Sequence, residues 1–83
     1  MQERVFQIIS QLMKVPVDSL NLESSATTIP KWDSLSQMNL VFALEGEFNV
    51  IFSDEQIVSM TNVERILFYL TELKEQNRKS IRI

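Results

Sequence analysis

Eighty-three residues with a 45% apolar fraction, one glycine and two prolines describe a single folded domain, too short for a second core and too poor in turn residues for a sheet-and-turn architecture. The chain has no cysteine and no histidine, which excludes disulfides, thiolate catalysis, zinc fingers and the commonest general base. Its net charge of −3 is divided: ten acids against four bases over residues 1–73, then Lys74, Arg78, Lys79 and Arg82 against Glu75, and an acidic body of this kind disfavours nucleic acid and favours basic protein partners.

The chain opens on Met1-Gln2-Glu3-Arg4, which lacks signal-peptide form. No apolar run reaches membrane-spanning length, so the expected setting is cytoplasmic, without membrane insertion. Val5, Ile8, Ile9, Leu12 and Met13 fall at the spacing of one continuous helical stripe, with Glu3 at the positive end of the helix dipole. Pro16 ends the pattern by restricting Val15 and removing a backbone donor. Residues 15–33 have no period and contain Pro16, Pro30 and the polar run Glu23-Ser24-Ser25-Ala26-Thr27-Thr28. A segment this long needs pinning, and Leu20, Leu22, Ile29 and Trp32 could provide it by packing on the helices. Asp18 is expected to cap a short turn around Ser19 and Leu20.

A second helix runs from Ser34 to Phe48, and Asn49-Val50-Ile51 breaks away from it. Ser53-Asp54-Glu55-Gln56 reads as a capping box, with Phe52 and Ile57 as its hydrophobic staple, so a short third helix starts at Ser53 and ends by Met60. Thr61-Asn62-Val63-Glu64 offers a further cap, and Val63, Ile66, Leu67, Leu70 and Leu73 carry a fourth helix to about Leu73 or a little beyond. The basic remainder is expected to fray. The fold class is therefore all-α: a four-helix bundle with a long loop between helices 1 and 2 and a short helix 3. The domain occupies residues 1–74 and a basic C-terminal tail residues 75–83.

The second helix is apolar over more of its surface than a small core can use. At 100° per residue, Leu40, Val41, Leu44 and Phe48 form one arc, an ordinary core stripe, while Leu35, Met38 and Phe42 form another beside Ser34. Together they cover roughly 220° of the circumference, about twice a normal core-facing stripe. Leu35, Met38 and Phe42 are thus expected to face solvent or a cleft, as binding surfaces do. Ser34 sits at the helix N-terminus, where free amides and the helix dipole favour a phosphate. Two local readings are open. Asp33 could cap the helix and leave the Ser34 hydroxyl free, or Ser34 could itself be the cap, with Gln37 completing a capping box. The tripeptide Asp33-Ser34-Leu35 taken alone favours the purely structural role. Trp32 reads as a core anchor, and Glu45 and Glu47 as a solvated face. No histidine or nearby lysine can activate Ser34 as a nucleophile, so an enzyme is not expected.

Taken together, the pattern resembles the acyl carrier protein family, and more broadly the acyl, peptidyl and D-alanyl carrier domains. Glu3-Arg4-Val5-Phe6-Gln7-Ile8-Ile9 looks like the family's first helix, and Asp33-Ser34-Leu35 with Leu40-Val41-Phe42-Ala43-Leu44-Glu45-Gly46-Glu47-Phe48 looks like its second. Ser53-Asp54-Glu55 looks like the start of the third helix and Thr61-Asn62-Val63 like the approach to the fourth. The resemblance implies a carrier rather than a catalyst. Ser34, with Asp33 beside it, would receive phosphopantetheine from coenzyme A through a phosphopantetheinyl transferase. The arm's thiol would carry acyl groups as thioesters, which fits a chain without cysteine. Leu35, Met38, Phe42, Glu45 and Glu47 would meet partner enzymes of fatty-acid, polyketide, lipid or cell-envelope biosynthesis: acyl ligases, synthases or acyltransferases. Leu40, Leu44, Phe48, Ile57 and Ile66 would line a space for an acyl chain. The protein would be a monomer.

The sequence also departs from the acid-rich fatty-acid carriers. Ser36, Gln37 and Asn39 are neutral, Gly46 stands where the family often has an acid, and Pro30-Lys31-Trp32 replaces the usual glycine-containing approach to the serine. These departures point to a specialised stand-alone carrier serving a dedicated ligase or transferase in a secondary or cell-envelope pathway. The alternatives are an aminoacyl, peptidyl or D-alanyl carrier and, in another class, an unmodified helical interaction module.

Overall fold

The structure, a computed structural model, describes residues 1–81, with side chains described through Gln76. Helix α1 spans Gln2–Met13, a 3₁₀ turn Val17–Ser19, α2 Ser34–Phe48, α3 Asp54–Ser59 and α4 Val63–Ile81. Among the described residues there is no strand, only an isolated antiparallel bridge between Ser25 and Asn62. The all-α, four-helix expectation holds, with α2 between the expected ends.

Each long helix buries most of the stripe its sequence marks, with Leu12, Phe48, Leu67 and Leu73 half-buried at the margins. Val5, Ile8, Ile9 and Met13 of α1 meet Leu40, Val41 and Leu44 of α2 and Ile66 and Leu70 of α4 in one apolar core. Full burial of side chains this size contributes about 1.5–3 kcal/mol each, so these helices hold the domain together. Helix α3 is different: none of its residues is fully buried, and six residues do not make a stable helix alone. Its ends hold it instead. The Ser53 hydroxyl accepts from the Gln56 amide at 3.1 Å, and the Gln56 side chain accepts from the Ser53 amide at 2.9 Å, the reciprocal box expected there.

Helix α1 stops earlier than its proline requires. Lys14 takes the left-handed conformation (φ 57°, ψ 48°) and its amide donates to the Ser10 carbonyl, which closes the helix ahead of Pro16. Pro16 instead precedes the 3₁₀ turn. Asp18 lies inside that turn, too late to cap it, and the Ser19 hydroxyl donates to the Pro16 carbonyl at 2.7 Å.

The long loop is pinned by Ile29 and Trp32, both buried, with Leu20 half-buried. Leu22 is exposed, contrary to expectation, because this stretch is tied down by its backbone. The Glu64 amide donates to the Leu22 carbonyl at 3.0 Å and the Val63 amide to the Ser24 carbonyl at 3.2 Å. The polar run builds turns: the buried Ser24 hydroxyl accepts from the Asn21 amide, and the Thr28 hydroxyl accepts from the Ser25 amide. Helix α4 continues past Leu73 to Ile81, since Lys74, Glu75 and Gln76 are good helix formers with no glycine or proline among them. The side chains of Arg78, Lys79 and Arg82 lie outside the described residues.

Candidate functional site

The start of α2 settles which residue caps it. Asp33 is extended (φ −107°, ψ −172°), and its Oδ1 accepts from the Ser36 amide at 2.9 Å. Its carbonyl accepts the first helical bond, from the Gln37 amide at 2.8 Å. That capping bond from the Ser36 amide holds the Asp33 carboxyl below the usual aspartate range. Ser34 is therefore the first helical residue rather than the cap. It is exposed, and among the described residues no hydrogen bond engages its hydroxyl.

Gln37 is not a capping residue either. Its Oε1 accepts from the Trp32 indole Nε1 at 2.6 Å, and its Nε2 donates to the carbonyls of Ile57 at 3.2 Å and Met60 at 3.3 Å. One side chain thus joins the loop before Ser34, α2 and the C-terminal end of α3. The Ile57 carbonyl also accepts from the Met60 amide at 3.3 Å, so Gln37 is its second donor, while at the Met60 carbonyl just past α3 it supplies a bond that would otherwise fall to water.

The starts of α2 and α4 differ in what they offer an anion. At α4, the Val63 and Glu64 amides are occupied by the loop carbonyls, and the Arg65 amide donates to Asn62 Oδ1 at 2.9 Å. At α2, no backbone carbonyl among the described residues accepts from the Ser34 or Leu35 amides. The Leu35 and Ser36 amides are turned instead to the Asp33 carboxylate, so what α2 offers beside the Ser34 hydroxyl is the Ser34 amide and the helix dipole.

An open cleft of about 490 Å³ runs from Ser34 between α2 and α3. Trp32, Met38, Ile57, Val58 and Met60 give it apolar walls, with Asp33, Ser34 and Gln37 among its polar groups. Met38, at its edge, is 37% exposed, and outside it Leu35 is 73% exposed and Phe42 62%. This is the surface the second apolar arc marks. Of the side chains expected to line an acyl space, Leu40, Leu44 and Ile66 are fully buried, Phe48 and Ile57 are half-buried, and only Ile57 reaches this cleft. Glu45 and Glu47 have partners within the chain. Glu45 Oε2 accepts from the Phe52 amide at 3.0 Å, and Glu47 pairs with Arg4 at 3.0 Å. The hydrogen bond and charge of that pair lower the Glu47 pKa and raise that of Arg4.

Sequence reasoning missed Gln37, Val58 and Met60 as parts of the site. The signal for Gln37 is a polar residue one turn beyond the serine, facing a helix with no buried residue; its partners cannot be read from spacing. Among the described residues no cluster of acids could hold a metal ion, and no helix is long and apolar enough to cross a membrane. No protein-family model matches the chain. A curated acyl carrier protein of Petrotoga mobilis is 34% identical to it over 70 residues, which is 84% of this chain and 82% of that protein.

Proposed function

The chain belongs to the acyl carrier protein family, and from that premise we propose that Ser34 is the attachment point of a phosphopantetheine arm. The observation that carries the reading is an exposed, unbonded hydroxyl at the open N-terminus of α2, at the mouth of an apolar cleft. The group fits this setting. Asp33 does the capping, so modifying Ser34 leaves the helix start intact, and the dipole of α2 favours a phosphodiester there. In the transfer, Ser34 Oγ loses its proton and bonds to the phosphorus of coenzyme A that bears the pantetheine, and adenosine bisphosphate leaves. The arm supplies a terminal thiol that holds an acyl group as a thioester. Trp32, Ile57 and Met60 offer that group an apolar wall, and Leu35, Met38 and Phe42 offer partner enzymes an apolar face.

The partners are a phosphopantetheinyl transferase and a dedicated acyl ligase or acyltransferase. The surface supports such a choice. Ser36, Gln37 and Asn39 carry no charge, and both acids of α2 are engaged within the chain. Recognition therefore rests on apolar contact more than on a row of acids meeting a basic patch.

The test is mass spectrometry after incubation with coenzyme A and a promiscuous phosphopantetheinyl transferase. Wild type gains the mass of one arm and Ser34→Ala gains nothing. A wild-type mass unchanged by several transferases would instead leave a helical module that binds partners through Leu35, Met38 and Phe42.

A further inference from the structure

Resting on the carrier reading, we propose that Gln37 sets how deep the carried group can lie, and that this protein carries short acyl groups, with long chains kept out of its interior. The cleft opens at Ser34 and lies against Trp32, Ile57 and Met60. The Gln37 carboxamide crosses between its walls, and three of its four possible hydrogen bonds go to Trp32, Ile57 and Met60, both donors included. Leu40 and Leu44, further along the same face of α2, are packed without exposure, as is Ile66 of α4. A chain that extends past the cleft toward those residues has to push α3 away from α2. It must then break the bonds of Gln37 and leave a half-buried carboxamide beside hydrocarbon.

Helix α3 is the wall able to move, since none of its own residues is fully buried, and its C-terminal end is held by the Gln37 bonds together with the buried Met60 that follows it. The side chain thus acts as a bolt on a movable wall. A short acyl group fits in the open cleft without disturbing it; a long one stays in solvent or on a partner.

The experiment compares wild type, Gln37→Met and Trp32→Phe after the arm is attached and loaded with butyryl, octanoyl or palmitoyl groups. Gln37→Met keeps the volume and removes every bond of the bolt. Trp32→Phe removes the indole bond with part of one cleft wall and leaves both carbonyl bonds, so it serves should the first variant fail to fold. Thioester cleavage by hydroxylamine reports shelter, and the emission of Trp32, the sole tryptophan, reports cleft occupancy in wild type and Gln37→Met. In wild type the butyryl thioester is sheltered and longer chains gain nothing further. In Gln37→Met the octanoyl thioester becomes about fivefold slower to cleave than in wild type, the factor expected for one net hydrogen bond. Trp32→Phe shifts in the same direction by a smaller factor. If no arm attaches to wild type, the carrier reading fails and this proposal falls with it. If the arm attaches and shelter of the octanoyl group is the same with or without Gln37, or already rises with chain length in wild type, the proposal alone is overturned.

Discussion

Phe42 and Leu44 stand on one helix and face opposite ways, so truncating each in turn separates the surface of the carrier from its core. Leu44 is fully buried, and a leucine-to-alanine change at such a position costs about 2–5 kcal/mol. At roughly 0.05–0.15 kcal/mol per residue, a domain of this length has about 4–12 kcal/mol to lose, so Leu44→Ala removes a large share of it. Phe42 is 62% exposed. Complete burial of phenylalanine is worth about 1.5–3 kcal/mol, so the covered remainder amounts to about 1 kcal/mol or less. Urea unfolding followed by Trp32 emission measures both, because that indole is 5% exposed in the folded state and fully exposed in the unfolded one. With a slope of about 1 kcal/mol/M for a small domain, Leu44→Ala lowers the midpoint by about 2 M or more and Phe42→Ala by less than about 1 M. The order reverses when Ser34 modification is assayed with a transferase. Phe42→Ala, still folded, loses about tenfold in kcat/KM if it is an interface anchor. An equal loss of stability for the two variants would refute the assignment of faces. An unchanged kcat/KM for Phe42→Ala would refute the interaction surface.

Gly46 lies inside α2 and a Cβ placed there meets nothing within 4 Å, so Gly46→Ala raises the stability by about 0.5–1 kcal/mol. An unchanged or lower urea midpoint would contradict that. The Asp33 carboxyl, held low by the Ser36 amide, stabilises the fold at every pH above the ordinary aspartate range. That contribution disappears as pH falls through its own lowered pKa. An NMR titration shows its midpoint below that of a free aspartate, and Asp33→Asn flattens the acid limb of the stability profile; an ordinary midpoint would exclude the cap as the cause.

Much of this fold could be read from apolar spacing, because the core is built from helix stripes whose period is local. The bounds of α2, the capping box of Ser53 and Gln56, and the exposed face of Leu35, Met38 and Phe42 all follow from residues within a few positions of each other. What escaped are features decided by partners far along the chain. Gln37 looks like a capping residue until Trp32, Ile57 and Met60 are brought beside it. Glu45 and Glu47 look solvated until Phe52 and Arg4 arrive. Leu22 is apolar but exposed, because its carbonyl rather than its side chain makes the attachment. Lys14 ends α1 in a left-handed conformation that the nearby proline did not announce.

The backbone bonds from the first amides of α4 to Leu22 and Ser24 have a consequence for the order of events during synthesis. The stretch leading to Ser34 is moored to a helix made well after it. A nascent chain that has exposed the serine but not yet residue 63 therefore presents it on an unmoored strand. The tryptophan is then not yet seated and the cleft not yet formed. Attachment geometry belongs to the finished polypeptide, so a transferase that reads shape as well as sequence would pass over incomplete chains.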